Sequence, residues 1–144
     1  NLSLRVLANG VYGNDIANGN LLQLATPEGI SWSNITTAAY NNAWRPERTS
    51  NSYPRIGYTT NGQIAMPDWI IEDGSFLRIS NINLSYQFDR INIYLSAQNL
   101  FTFTGYSGYN PEVTSFLYDG LRNGVDWNGQ PSARKFTIGL NFNL

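Results

Sequence analysis

The residues from Phe136 to Leu144 alternate strictly in character. Phe136, Ile138, Leu140, Phe142 and Leu144 are apolar, while Thr137, Gly139, Asn141 and Asn143 are small or polar. Successive strand side chains point to opposite faces, so this segment reads as a strand with one greasy and one polar face. Three other segments repeat the pattern. Leu2, Leu4, Val6 and Ala8 alternate with Ser3, Arg5 and Leu7. Ile82, Leu84, Tyr86 and Phe88 alternate with Asn81, Asn83, Ser85 and Gln87. Ile91, Ile93, Leu95 and Ala97 alternate with Asn92, Tyr94, Ser96 and Gln98. Leu77 and Ile79 fall on the other parity from Ile82, which predicts a bulge or a strand end beyond the apolar layer. No segment carries a convincing amphipathic helix. A short helical turn around Ser33 to Ala43 is the most that is expected.

The strands are unequally connected. Only Asp89 and Arg90 separate the second from the third, a tight hairpin turn. Segments of about 60 and about 30 residues, rich in Gly, Asn, Pro, Trp and Tyr, join the other pairs, and loops so long are uncommon in compact domains. The expected layout is strands at about 1–12, 75–88, 91–103 and 133–144, long loops at about 13–74 and 104–132, and a turn at 89–90.

Two environments produce such alternation. One is a soluble β-sandwich or barrel whose apolar positions face a core. The other is an outer-membrane barrel, with lipid on the apolar side, lumen on the polar side, short turns at one end and long loops at the other. Composition favours the second. Only 13% of the residues are charged, about half the usual share. The polar faces are Asn, Gln, Ser, Thr and Gly, where a solvated sheet would carry more charge. Aromatic residues cluster at the ends of the apolar runs, as in interfacial girdles. With long loops outside, the Asp89-Arg90 turn is periplasmic and the last strand runs down towards the periplasm. Four strands cannot close a membrane barrel, and open edges in lipid would leave N–H and C=O groups without partners. The chain also opens inside an alternating run, with no signal peptide. It therefore reads as a piece of a larger barrel.

Absent residue types exclude several chemistries. With no Cys and no His, there is no disulfide scaffold, no Cys/His zinc site and no Ser-His-Asp triad. Nine basic and ten acidic residues give a net charge of -1, which does not suit a nucleic-acid binder. Glu72-Asp73 is the only adjacent carboxylate pair, and neighbours on a strand point to opposite faces, so it does not form an acid/base pair. Asp15, Asn18 and Asn20, and later Asp119, Asn123 and Asp126, offer oxygen ligands, but neither group has the full calcium-loop spacing and Asx turns explain them better. No catalytic residue, metal site or cofactor is expected, and the chain does not read as an enzyme.

Several motifs resemble a known family. Trp69-Ile70-Ile71-Glu72-Asp73-Gly74-Ser75-Phe76-Leu77-Arg78 is similar to the W-hydrophobic-E-D-G-S-F-L-R signature of SusC/RagA-type TonB-dependent outer-membrane transporters of Bacteroidetes. Asn81 to Tyr86 resembles its continuation. Leu95-Ser96-Ala97-Gln98-Asn99-Leu100-Phe101-Thr102-Phe103-Thr104 resembles the family's S-A-Q-N-L-F-T-F-T run, and Tyr106 to Val113 its Y-x-G-Y-D/N-P-E-V run. The tail from Pro131 to Leu144 resembles the closing strand, although Leu stands where Phe often ends such barrels. The resemblance implies an all-β fold: the last four antiparallel strands of a transmembrane barrel of about 22 strands. It implies a parent in the bacterial outer membrane that imports oligosaccharides or oligopeptides. Its partners would be the remaining barrel and plug, a SusD-like surface lipoprotein, the TonB complex through the missing upstream part, and outer-membrane lipid.

Within that frame Ile93, Leu95, Phe136, Ile138, Leu140 and Phe142 are expected to face lipid, and Asn92, Tyr94, Gln98 and Asn141 the lumen. Trp32, Trp44, Arg45, Tyr53, Tyr58, Trp69 and Tyr109, with Tyr40 and Arg48, are candidates for contact with ligand or with the lipoprotein lid, because aromatic and Arg side chains supply much interface energy. The competing function is a soluble all-β carbohydrate-binding module whose loop aromatics stack on sugar rings. A third reading is a small structural barrel that closes by oligomerisation.

Overall fold

The computed structural model describes residues 1–25, 34–49, 53–55, 67–113 and 124–142. The described residues fall into two units. The first comprises Asn1–Asn14, Gly74–Pro111 and Gln130–Leu144; the second comprises Asp15–Asp73 and Glu112–Gly129.

The first unit is a single antiparallel sheet. Its strands are β1 (Leu2–Val11), β4 (Phe76–Phe88), β5 (Ile91–Thr104) and β7 (Lys135–Phe142), in the spatial order β1-β4-β5-β7. The register lines up residues of like character across the strands. Leu4 lies opposite Leu84, Leu84 opposite Leu95, and Leu95 opposite Ile138. One step along the same face come Leu2, Tyr86, Ile93 and Leu140. On the other face Ser3, Ser85, Tyr94 and Gly139 form one row, and Arg5, Asn83, Ser96 and Thr137 the next. Four separately alternating segments thus combine into one continuous apolar face and one continuous polar face.

The apolar face has nothing over it among the described residues of its unit. Leu2, Leu4, Phe136, Ile138 and Phe142 are all well exposed, Ile138 at 74%. Among the described residues of this unit the buried hydrophobic ones are Phe76 and Tyr106, both at the long-loop end of the sheet. Each large apolar side chain is worth about 1.5–3 kcal/mol when fully buried. A face of about ten of them rivals the whole stability of a typical domain, about 5–15 kcal/mol. Such a face folds stably only against something that replaces water.

The parity break before Ile82 is a bulge. Ile79 and Asn81 pair with Ala8 and Leu7 on one side and with Phe101 and Gln98 on the other, and Ser80 is left out of both ladders. Opposite Ser80, Asn99 and Leu100 fall between paired residues of β5. Asn99 adopts φ 52°, a left-handed conformation that Asn tolerates better than most residues. Its side chain donates to the Ala133 carbonyl at 3.2 Å, and the Ser80 hydroxyl donates to Asn9 Oδ1. The extra residue returns Leu77 and Ile79 to the apolar face. At the other end, Asp89 takes φ 48° in the two-residue turn, and the Gln87 amide donates to its carbonyl at 2.7 Å.

The second unit holds more structure than the aperiodic sequence suggests. It contains β2 (Asp15–Asn18), β3 (Ile71–Asp73) and β6 (Val125–Asp126), a small sheet in the order β3-β2-β6. β2 pairs antiparallel with β3 and parallel with β6. A seven-residue helix, α1 (Gly19–Ala25), corrects the expectation that no helix lies there. Asn18 starts it by accepting from the Leu21 N–H through its side chain, and one N-cap is enough for so short a helix. The short helical turn expected near Ser33–Ala43 is α2 (Thr37–Asn42), capped by the Thr36 hydroxyl. A 3₁₀ turn, Asp68–Ile70, leads into β3. The core of this unit is Ile16, Ala25, Ala39, Ala43, Ile70 and Val113.

Two predictions follow from the sheet. A Cβ on Gly139 would lie 2.2 Å from the Tyr94 ring. Gly139→Val is therefore expected to displace Tyr94 and lower the temperature at which the full-length folded protein loses its compact gel mobility. Tyr94→Ala should remove most of that loss in the double mutant. Deleting Ser80 alone joins Ile79 to Asn81 and keeps Leu77 and Ile79 on the apolar face and Arg78 on the polar face, so that variant should still assemble. Deleting Ser80 and Asn81 together turns Leu77 and Ile79 to the polar face and Arg78 to the apolar face and should abolish assembly. Normal assembly of the double-deletion variant would refute the register.

Candidate functional site

The first unit presents its two faces and one braced turn. Ile93, Leu95, Phe136, Ile138, Leu140 and Phe142 all lie on the apolar face, where Ile93 opposes Leu140, Leu95 opposes Ile138 and Ile91 opposes Phe142. Asn92, Tyr94, Gln98 and Asn141 lie on the polar face, with Asn92 opposite Asn141 and Gln98 opposite Lys135. Asn92 Oδ1 is buried without a hydrogen-bond partner among the described residues. The Tyr94 ring occupies the space beside Gly139 that a Cβ would fill.

At the long-loop end of the polar face stands Arg78, only 5% exposed. Its Nε donates to Thr102 Oγ1 at 3.0 Å, and one terminal nitrogen donates to Asn110 Oδ1 at 2.5 Å. The guanidinium lies 5.5 Å from the centre of the Phe76 ring. Asn110 in turn donates to Ser132 Oγ at 3.1 Å. One buried cation thus ties β4 to β5, to the segment after β5 and to the segment before β7. Sequence reasoning passed over Arg78 and Asn110. The available signal was a cation at a polar-face position next to the bulge. Thr104 reinforces this end: its hydroxyl donates to the Ser75 carbonyl at 2.8 Å and accepts from the Tyr106 N–H at 3.1 Å. Tyr109, on the same braced segment, is 74% exposed. A shallow groove nearby, lined by Gly10, Val11, Tyr12, Ser75, Phe76, Leu77 and Phe103, includes none of the candidate residues.

In the second unit the structure gathers several of the loop candidates. Trp44 donates its backbone N–H to the Tyr53 carbonyl at 3.3 Å, and the Tyr53 and Trp69 rings sit 6.4 Å apart at 56°. The Arg45 guanidinium lies 4.9 Å from the centre of the Tyr40 ring. Trp32 and Tyr58 lie outside the described residues. The oxygen-rich side chains near α1 have local work. Asn18 donates to Glu72 Oε1 at 2.8 Å while capping α1, and Asn20 Oδ1 accepts from the Asn128 N–H at 2.8 Å. Asp126 is fully buried and accepts from the Gly129 N–H at 3.0 Å, closing a turn in which Asn128 has φ 59°.

No family model matches the chain. Among curated proteins it is 29% identical to TonB-dependent receptor P3 of Formosa agariphila, an alignment covering 98% of this chain and 15% of that receptor. It is 32% identical to TonB-dependent receptor SusC of Bacteroides thetaiotaomicron, over 75% of this chain and 11% of that receptor. Among solved structures its fold superposes on the RagAB peptide importer in the 'open-open' state with a TM-score of 0.78 and 23% identity, covering 99% of this chain and 16% of the importer chain. For the 'closed-closed' state the TM-score is 0.75 at 24% identity, over 98% of this chain and 15% of that one. The chain therefore spans 15% and 11% of the length of these two receptors. In fold, in the order of its motifs and in its relatives, it belongs to the SusC/RagA-type TonB-dependent outer-membrane transporters, as a segment of their barrel.

Proposed function

We propose that this segment is the carboxyl-terminal wall of a nutrient importer that takes up oligosaccharides or oligopeptides across the outer membrane with energy from the TonB complex. The observation that carries the reading is the two-faced sheet. Its four strands keep one apolar and one polar face, with a bulge at Ser80 preserving the faces across the register shift, and the apolar face is uncovered among the described residues of its unit. A bilayer replaces water on such a face without a second protein layer. Ile93, Leu95, Phe136, Ile138, Leu140 and Phe142 then meet lipid. Asn92, Tyr94, Gln98 and Asn141 line the lumen, where the plug of the parent lies against them. Further barrel strands pair with the outer edges of β1 and β7, because open edges are not tolerated in lipid.

The same reading sets the direction of the wall. The Asp89-Arg90 turn is periplasmic, and the loops at about 13–74 and 104–132 are extracellular. Those loops then meet the outer side of the membrane, where a SusD-like lipoprotein closes over the mouth. Trp44, Arg45, Tyr53, Trp69 and Tyr109 are the described candidates for contact with that lid or with cargo. Transport here needs no covalent step. It needs a wall that holds its shape while plug and lid move, which the cross-strand rows and the Arg78 brace supply.

Arginine scanning of one strand tests the reading. In the full-length transporter, Leu140→Arg is expected to destabilise the folded barrel by about 2–4 kcal/mol if residue 140 lies near the bilayer midplane. Asn141→Arg should be tolerated, since the lumen is aqueous. Denaturant titration in detergent or lipid vesicles measures both. Equal effects at the two positions, or a folded protein that stays monomeric without detergent, would refute the assignment of faces.

A further inference from the structure

We infer that the stretch around α2 forms an arginine-aromatic docking patch for an acidic protein surface; this rests on the lid contact proposed above and names its chemistry. After α2 the chain makes a tight hairpin, Arg45-Pro46-Glu47-Arg48, in which Arg45 and Arg48 exchange both backbone hydrogen bonds at 3.0 Å. A parallel bridge joins Ala43 to Tyr53. Two residues beyond the bridge on each side stand Arg45 and Arg55. Three arginines are thereby brought to one end of α2. Among the described residues of this stretch, 34–49 and 53–55, Glu47 is the only carboxylate. The other described acids of the same unit, Asp15, Asp68, Glu72, Asp73, Glu112 and Asp126, all lie elsewhere in the chain. The unit's described cations all lie in this stretch, and the nearest other acid by known contact is Asp68, next to Trp69, whose ring meets that of Tyr53.

The plainer role for two of these arginines is to cap α2. Arg45 donates to the Tyr40 carbonyl at 3.4 Å and Arg48 donates to the Asn41 carbonyl, and cations at a helix C-terminus are favourable. Capping engages one nitrogen of each guanidinium, which carries five N–H donors. The remaining fork is suited to carboxylates, which it binds bidentately. Arg45 is also held over the Tyr40 ring, and Tyr40 is 53% exposed. A ring and a guanidinium already fixed against each other lose little freedom on binding. Arg and Tyr are the residue types that dominate interface energetics. Charge complementarity then selects the partner: a protein surface bearing Asp and Glu, presented by the lipoprotein that closes the mouth.

The test uses the full-length transporter and its surface lipoprotein, purified together in detergent, separated and recombined. The association rate is expected to fall about tenfold or more between about 0.05 and about 0.5 M NaCl. Arg55→Glu, an exposed position outside the hairpin, should slow association several-fold and flatten the salt dependence. Arg45→Lys keeps the charge but loses the fork, so it should leave association near wild type and speed dissociation. An association rate insensitive to salt and to Arg55→Glu overturns the inference while leaving the lid contact standing. So does a result in which these variants change only the retention of anionic lipid or anionic cargo. Failure of the wild-type lipoprotein to bind at all overturns the lid contact, and the inference falls with it.

Discussion

Cross-strand register is the constraint on which the rest of this structure depends. A side-chain period of two means that a slip of one residue would exchange the faces of a strand. Here Leu4, Leu84, Leu95 and Ile138 stand in one line across four strands, and Arg5, Asn83, Ser96 and Thr137 stand in the adjacent line on the opposite face. No packed second layer enforces that alignment within the sheet's own unit, whose buried hydrophobic residues among those described are Phe76 and Tyr106. The alignment is held instead by hydrogen-bonded ladders, by the two-residue turn at Asp89-Arg90 and by pairs such as Tyr94 on Gly139. A wall of this kind makes physical sense where its apolar side meets something other than water.

The bulge shows how local irregularity preserves that order. An unbroken period-two strand from Phe76 to Phe88 would send Leu77 and Ile79 to the polar side. Leaving Ser80 out of both ladders, with Asn99 at positive φ across from it, restores them to the apolar face. It also places Arg78 on the polar side, where Thr102 and Asn110 satisfy it and Phe76 shields it. A buried guanidinium is acceptable only with such partners. The cation therefore ties the bulge, the turn bearing Tyr109 and the start of β7 into one braced end of the sheet.

The second unit follows a different logic. It has its own small core around Ile16, Ile70 and Val113, and its polar side chains mostly terminate elements rather than meet in a reactive cluster. Asn18 caps a helix, Asn20 holds the Asn128 N–H, and Asp126 closes a turn. Its exposed chemistry is concentrated in the arginines and aromatics around α2. Arginine and aromatic side chains held against one another suit recognition.

Much of the wall was legible in the residues alone. The four strands of the wall and their faces, the Asp89-Arg90 turn and a parity break before Ile82 all follow from period-two alternation, because a strand's geometry maps directly onto sequence spacing. That the break is a bulge and not a strand end came from the pairing. The family resemblance was legible too, in runs such as Ser96-Ala97-Gln98-Asn99-Leu100-Phe101. The interior of the long connections was not. The helix at Gly19–Ala25 and the sheet of β2, β3 and β6 carry no periodic signal, since the helix has only seven residues and the strands two to four. The parallel pairing of β2 with β6 joins residues more than 100 positions apart. Local propensity does not encode such contacts, nor the meeting of Arg78 with Asn110 or of Arg45 with Tyr40. Alternation alone determined that this chain makes a two-faced wall. Only the tertiary structure decided how its ends are braced and where its arginines gather, because those features arise from long-range packing rather than from spacing.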